Sequence, residues 1–141
     1  MPRISSTIIA ARMLERVPEL EPARRLSTYG GELLVTIFLG NAAQYVLAEA
    51  RALTSASTSE QAAITARIAA ILEIVEESLV EGDDRLRGVV SAAFIEELDT
   101  DDAATFRRVV TQLGPASQCE VTTLTKFYQS KEWRDFIARK K

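Results

Sequence analysis

Apolar residues recur at helical spacing along most of this chain, and the alternating pattern that is typical of strands is hard to find. The clearest case lies between residues 59 and 82, where apolar side chains follow one another at steps of three and four. This spacing places them on one side of an α-helix, which must then face a core. They are Ile64, Ile68, Ile71, Leu72, Val75 and Leu79. The chain is therefore predicted to be all-α.

A second helix is predicted over residues 32–53, because apolar side chains cover nearly its whole circumference. A helix of this kind belongs at the centre of a domain. Its uncharged part, residues 33–48, contains Gly40, Asn41 and Gln44 and is too short and too polar to cross a bilayer. We therefore expect no membrane partner.

Helix-breaking and capping residues divide the chain into short segments. We expect a compact bundle of six or seven helices with short connections, and we find no second copy of any unit that would indicate a helical solenoid. Ser57 and Glu60 have the spacing of a capping box, and Gly30-Gly31 is expected to be a turn or hinge. The breaks lie at Pro18, Gly30-Gly31, residues 54–59, Gly82, residues 99–102 and Gly114-Pro115.

Length and composition narrow the possible chemistry. The 141 residues, 47% of them apolar, predict one domain over residues 1–141. There is no histidine and one cysteine, Cys119, which excludes Ser-His-Asp and Cys-His catalysis, structural zinc sites and disulfides within the chain. We expect no cofactor and no metal. An N-terminus without an apolar signal region and a lone thiol predict a cytoplasmic protein.

The acidic residues are concentrated in the middle of the chain. Between residues 73 and 102 there are eleven acids and only two arginines, Arg85 and Arg87, so this segment carries a charge of −9 while the whole chain carries −3. We predict that these acids form a partner-binding surface. They are Glu73, Glu76, Glu77, Glu81, Asp83, Asp84, Glu96, Glu97, Asp99, Asp101 and Asp102.

A surface of this charge favours a basic protein as partner and, with a pI near 5.1, disfavours nucleic acid. The competing interpretation is a set of solvated helix faces, which are often rich in glutamate. Against it, the acids come from consecutive elements that meet at Gly82 and Asp99, and they lack interleaved lysine and arginine.

Carboxylates are also the only plentiful catalytic group. Adjacent acids such as Glu76 and Glu77 point about 100° apart on a helix, so they do not converge on one substrate by themselves. Residues 99–110 begin like a calcium loop but hold Ala104 and Val110 where that loop needs glycine and glutamate. We therefore expect a protein that is not an enzyme.

Aromatic residues are few, and most are expected in the core. Phe38, Phe94, Phe106 and Phe136 are predicted to be buried. Four others are either buried with the polar tip at the surface or anchors of an interface. These are Tyr29, Tyr45, Tyr128 and Trp133.

Four segments resemble a known family. Residues 17–20 (VPEL) look like its opening element, and residues 33–41 (LLVTIFLGN) are similar to its core helix. Residues 81–98 (EGDDRLRGVVSAAFIEEL) and 113–117 (LGPAS) resemble two further motifs, the first of which includes Glu96 as a matched polar position. The family is small, all-helical and bacterial, with no assigned enzymatic activity.

Members of this family often resemble cognate immunity proteins of secreted polymorphic toxins. The resemblance implies that the chain neutralises a toxin with a basic active-site surface, and it leaves open whether the chain is a monomer or a homodimer. Two other classes stay open: a helical adaptor or homodimeric scaffold that uses an apolar groove, and a carboxylate-based enzyme.

Overall fold

The structure, a computed structural model, describes residues 6–98 and 102–124. Within these ranges the chain forms seven α-helices and one two-stranded hairpin, which confirms the all-α prediction. The elements are α1 (Ser6–Arg16), a 3-10 turn (Pro18–Leu20), α2 (Glu21–Leu26), β1 (Thr28–Tyr29), β2 (Glu32–Leu33), α3 (Val35–Ala52), α4 (Thr58–Glu81), α5 (Asp84–Val90), a π-helical segment (Ser91–Ile95), a 3-10 turn (Glu96–Leu98), α6 (Ala103–Val110) and α7 (Pro115–Leu124).

Helices α3 and α4 pack against each other at the centre, and the other elements surround them. α3 contacts α1, α2, α5, α6 and the segment 91–98, whereas α4 contacts α1, α5 and α7. The predicted stripe on α4 faces inward, and each of its six residues is buried. Phe38, Phe94 and Phe106 are fully buried, as predicted.

Side-chain caps begin three of the helices, one at the predicted capping box and two at or next to predicted breaks in the chain. The Ser57 hydroxyl accepts a hydrogen bond from the Glu60 N–H (3.3 Å) at the start of α4. A carboxylate oxygen of Asp83 accepts from the Leu86 N–H (2.8 Å) at the start of α5. Asp102 does the same for α6 through the Thr105 N–H (3.2 Å). These short-range motifs were readable because each cap depends on residues only three positions apart.

The helix predicted over residues 32–53 begins later, at Val35, and its expected first residues belong to a hairpin instead. Thr28 pairs with Leu33 and Tyr29 with Glu32, in antiparallel register. Gly30 and Gly31 have φ of 58° and 83°, the left-handed conformation that a two-residue hairpin turn demands. The expected turn at the glycines is confirmed, and Tyr29, which precedes it, is 81% exposed and so is not a core residue.

The chain stays helical from Asp84 to Leu98, but its hydrogen bonding changes along the way. After α5 it widens into the π-helical segment and then tightens into a 3-10 turn. The Ser91 hydroxyl, at the start of the π-helical segment, donates to Glu120 on α7 (2.8 Å). The predictions for Tyr128, Trp133 and Phe136 lie outside the described residues.

The hairpin glycines and a helical glycine should respond oppositely to alanine. Gly31→Ala should destabilise the fold by about 1–2 kcal/mol, because φ of 83° strains any side chain. Gly88→Ala, in α5 with open space around the new methyl group, should stabilise it by about 0.5–1 kcal/mol. Urea unfolding of both variants checks this, and equal effects would contradict the assigned turn.

Candidate functional site

Four of the predicted glutamates lie along one groove on the outward side of α4. Their spacing of three, four and eight residues places Glu73, Glu76, Glu77 and Glu81 on neighbouring turns of the same side of the helix. The groove has a volume of about 430 Å³. It is also lined by Ala69, Leu72, Val80, Gln112 and Gly114. The site therefore combines apolar lining with carboxylates, and we call it the α4 groove.

Glu73 and Glu77 face arginines of α1. Arg16 Nη1 lies 2.9 Å from Glu73 Oε2, and Arg12 Nη1 lies 2.6 Å from Glu77 Oε1. All four side chains keep more than a third of their surface exposed. Exposed pairs of this kind stabilise a fold by about 0.2–1 kcal/mol. The two carboxylates are thus locally balanced yet remain accessible from solvent.

Glu76 has a different task, because its carboxylate caps α7. Oε2 accepts a hydrogen bond from the Ala116 N–H (2.9 Å), and Oε1 accepts from the N–H and the hydroxyl of Ser117 (both 2.9 Å). A negative charge at a helix N-terminus is stabilised by the unpaired N–H groups and by the helix dipole. Glu76 therefore fixes α7 against α4 while it lines the groove.

Gly114 leaves room for this contact. A Cβ atom added at Gly114 would lie 2.5 Å from the carboxyl carbon of Glu76, closer than atoms can approach without moving. The absence of a side chain at Gly114 thus leaves space for the Glu76 carboxylate, and α7 begins at the next residue, Pro115.

Asp83 and Asp84 lie beyond the groove lining, at the start of α5. Asp83 is the cap described above, and Asp84 pairs with Arg87 one turn later in the same helix. The Asp84 side chain is 97% exposed. These two acids support α5 locally and do not line the α4 groove.

The remaining described acids are also placed elsewhere. Glu97 accepts a hydrogen bond from Gln44 Nε2 of α3 (2.7 Å), and Glu96 is half-buried beside it in the chain. Asp102 lies at the start of α6, where Arg51 of α3 is 3.5 Å away. Asp99 and Asp101 lie outside the described residues. The structure thus brings four of the eleven acids together in one groove.

Sequence reasoning missed the cations that face these acids. Arg12 and Arg16 are 65 and 57 residues from their partners, so no local pattern announces the pairing. It also missed the cluster in which Arg67 donates through Nη2 to Glu49 (2.7 Å) beside Tyr45. Burial raises the pKa of the Tyr45 hydroxyl, and the nearby Glu49 carboxylate adds to this.

The comparisons with known proteins leave the chain without an assigned family. No family model matches it, and neither the curated proteins nor the solved structures give a significant match. In the two described ranges, no three His, Cys, Asp or Glu side chains are grouped so that they could hold a metal ion. No helix there has both the length and the apolar character that crossing a membrane requires.

Removing the Glu76 carboxylate should cost more stability than removing that of Glu73. Glu76→Ala leaves two N–H groups of α7 without their acceptor and should lower the free energy of unfolding by about 1–2 kcal/mol. Glu73→Ala loses only an exposed ion pair and should cost less than about 1 kcal/mol. Denaturant titration measures both stability losses, and equal losses would show that Glu76 does not cap α7.

The ionisation of Asp102 should make the free energy of unfolding depend on pH in the acidic range. Hydrogen bonds from the Thr105 hydroxyl and N–H, with Arg51 nearby, lower the pKa of Asp102 below its ordinary value of 3.8. The ionised carboxylate therefore stabilises the fold above that value, and this stabilisation is lost as the pH falls through the lowered pKa.

Asp102→Asn keeps a capping side chain but cannot ionise. The wild type should be more stable than this variant at neutral pH, and the difference should shrink in acid below pH 3.8. Urea unfolding across this range provides the measurement, with Glu15→Gln on an exposed part of α1 as a control. A difference that does not change with pH would show that Asp102 is not the titrating group.

Proposed function

We propose that this chain is a non-enzymatic immunity protein that binds a cognate bacterial toxin through the α4 groove. The observation that carries the proposal is the alignment of Glu73, Glu76, Glu77 and Glu81 along one groove with apolar lining. The family resemblance of residues 81–98 and 113–117 motivates the toxin as the kind of partner. The proposed partner surface is basic.

The composition of the groove suits lysine and arginine side chains of a partner. These side chains have an apolar stem and a charged head, and they bind best where the stem can lie on apolar surface while the head reaches a carboxylate. Val80 is 61% exposed and lines the groove beside Glu76, Glu77 and Glu81. The groove therefore offers both kinds of contact within one turn of α4.

The arginines of α1 do not close the groove to such a partner. Because the side chains of the two pairs, Arg12–Glu77 and Arg16–Glu73, are 36–64% exposed, opening one pair costs about 1 kcal/mol or less. A carboxylate can also accept hydrogen bonds from two cations at once, since it has two oxygens. Glu73 and Glu77 are thus the groups that a basic partner would engage, while Glu76 keeps its contact with α7.

The proposed mode of inhibition is occlusion. Many toxin active sites are basic because they bind nucleic acid or nucleotide phosphates, and an acidic groove placed over such a site excludes the substrate electrostatically. On this proposal the chain works in the cytoplasm of the toxin-producing cell, needs no cofactor and binds no nucleic acid itself. Its affinity comes from complementarity of preformed surfaces.

Charge reversal in the groove tests the proposal. The partner to use is the protein encoded by the gene next to this one. Glu73→Lys combined with Glu77→Lys should slow its association at least about tenfold and should weaken the dependence of the rate on salt. Glu97→Lys is the control: it makes the same charge reversal at one position outside the groove, and it should leave the association rate within about twofold. Surface plasmon resonance at two salt concentrations measures both rates.

The free energy of unfolding of the double lysine variant is measured alongside, because the new lysines face Arg12 and Arg16 and like charges destabilise the fold. The neutral pair Glu73→Gln and Glu77→Gln should slow association in the same direction but less. If both double variants associate at the wild-type rate, the partner does not bind through the α4 groove. Binding that is tight yet independent of salt would favour the adaptor alternative, in which apolar contacts drive association.

A further inference from the structure

A second groove lies on a different part of the molecule, between the hairpin, the first turn of α3 and α5. It has a volume of about 520 Å³ and shares no lining residue with the α4 groove. Its lining includes five apolar side chains and two side chains of opposite charge. They are Leu33, Leu34, Val35, Ile37 and Val89, with Glu32 and Arg85. We call it the hairpin groove.

Two of the exposed large apolar side chains lie at this groove or next to it. Ile37 lines the groove and is 48% exposed. Tyr29 belongs to the hairpin and is 81% exposed. Tyr29 is paired with Glu32 across the hairpin, so the two side chains lie on the same face of it. Tyrosine in such a position is typical of interface anchors.

The charges at the hairpin groove are balanced. Glu32 and Arg85 are both exposed and lie on different elements, β2 and α5. Among the residues that the structure describes, neither has an ion-pair partner within 4.0 Å. A groove with one acid and one base on opposite elements is complementary to itself, whereas the α4 groove, with four acids, is not.

We propose that the hairpin groove binds a second copy of this chain in an isologous dimer. A two-fold axis through the groove places Glu32 of each copy opposite Arg85 of the other, so one surface supplies both halves of two ion pairs. Tyr29 and Ile37 supply exposed apolar surface for the interface, together with the apolar lining of the groove. This dimer does not rest on the proposed immunity function, because it uses different residues.

Exchange of the two charges tests the dimer directly. Sedimentation velocity of the wild-type chain should show a species of twice the chain mass whose fraction grows with concentration. Glu32→Arg and Arg85→Glu should each weaken dimerisation at least about tenfold, since each creates two like-charge contacts across the axis. A mixture of the two variants should restore the dimer, because both ion pairs across the axis are then re-formed, one with its native polarity and the other with its polarity reversed.

Two further variants separate this interface from other causes. Tyr29→Ser removes an 81% exposed side chain, so it should weaken the dimer without lowering the free energy of unfolding. Glu97→Lys, outside both grooves, should dimerise like the wild type. A wild type that stays monomeric at every concentration would overturn the proposal. So would dimerisation that resists both charge variants, or a mixture that does not recover it.

Discussion

The inward-facing stripe of α4 determines where the rest of the molecule, and its charge, must lie. Ile64, Ile68, Ile71, Val75 and Leu79 are all buried, and each such side chain contributes about 1.5–3 kcal/mol when removed from water. Helix α4 cannot rotate about its axis without exposing several of them. The opposite side is therefore presented outward, which is why glutamates at steps of three and four residues line one groove.

The charge of that groove is set by tertiary contacts as much as by sequence. Arg12 and Arg16 of α1 lie against Glu77 and Glu73, so the segment does not present the bare charge of −9 that its composition indicates. Glu76 is committed to the N-terminus of α7. A groove whose carboxylates are held in place by their own partners is preorganised, and preorganisation lowers the ordering cost of binding.

The sequence predicted what depends on near neighbours and missed what depends on distant ones. The α4 stripe, the cap at Ser57 and the breaks at Gly82 and Gly114-Pro115 all rest on patterns within a few residues, and the structure has them. The hairpin was missed because two-residue strands carry no alternation, although Gly30-Gly31 was a usable signal. The capping role of Glu76 joins residues 40 and 41 positions apart, which no periodicity reveals.

The central claim is that a basic protein partner binds along the outward side of α4. Methyl NMR of the chain titrated with the protein encoded by the adjacent gene tests it most directly, because Val80 lines the α4 groove and is 61% exposed. The account predicts that the methyl signals of Val80 shift and that the signal of the fully buried Ile68 moves less. Binding that leaves Val80 unchanged while shifting methyl signals elsewhere on the surface would contradict it.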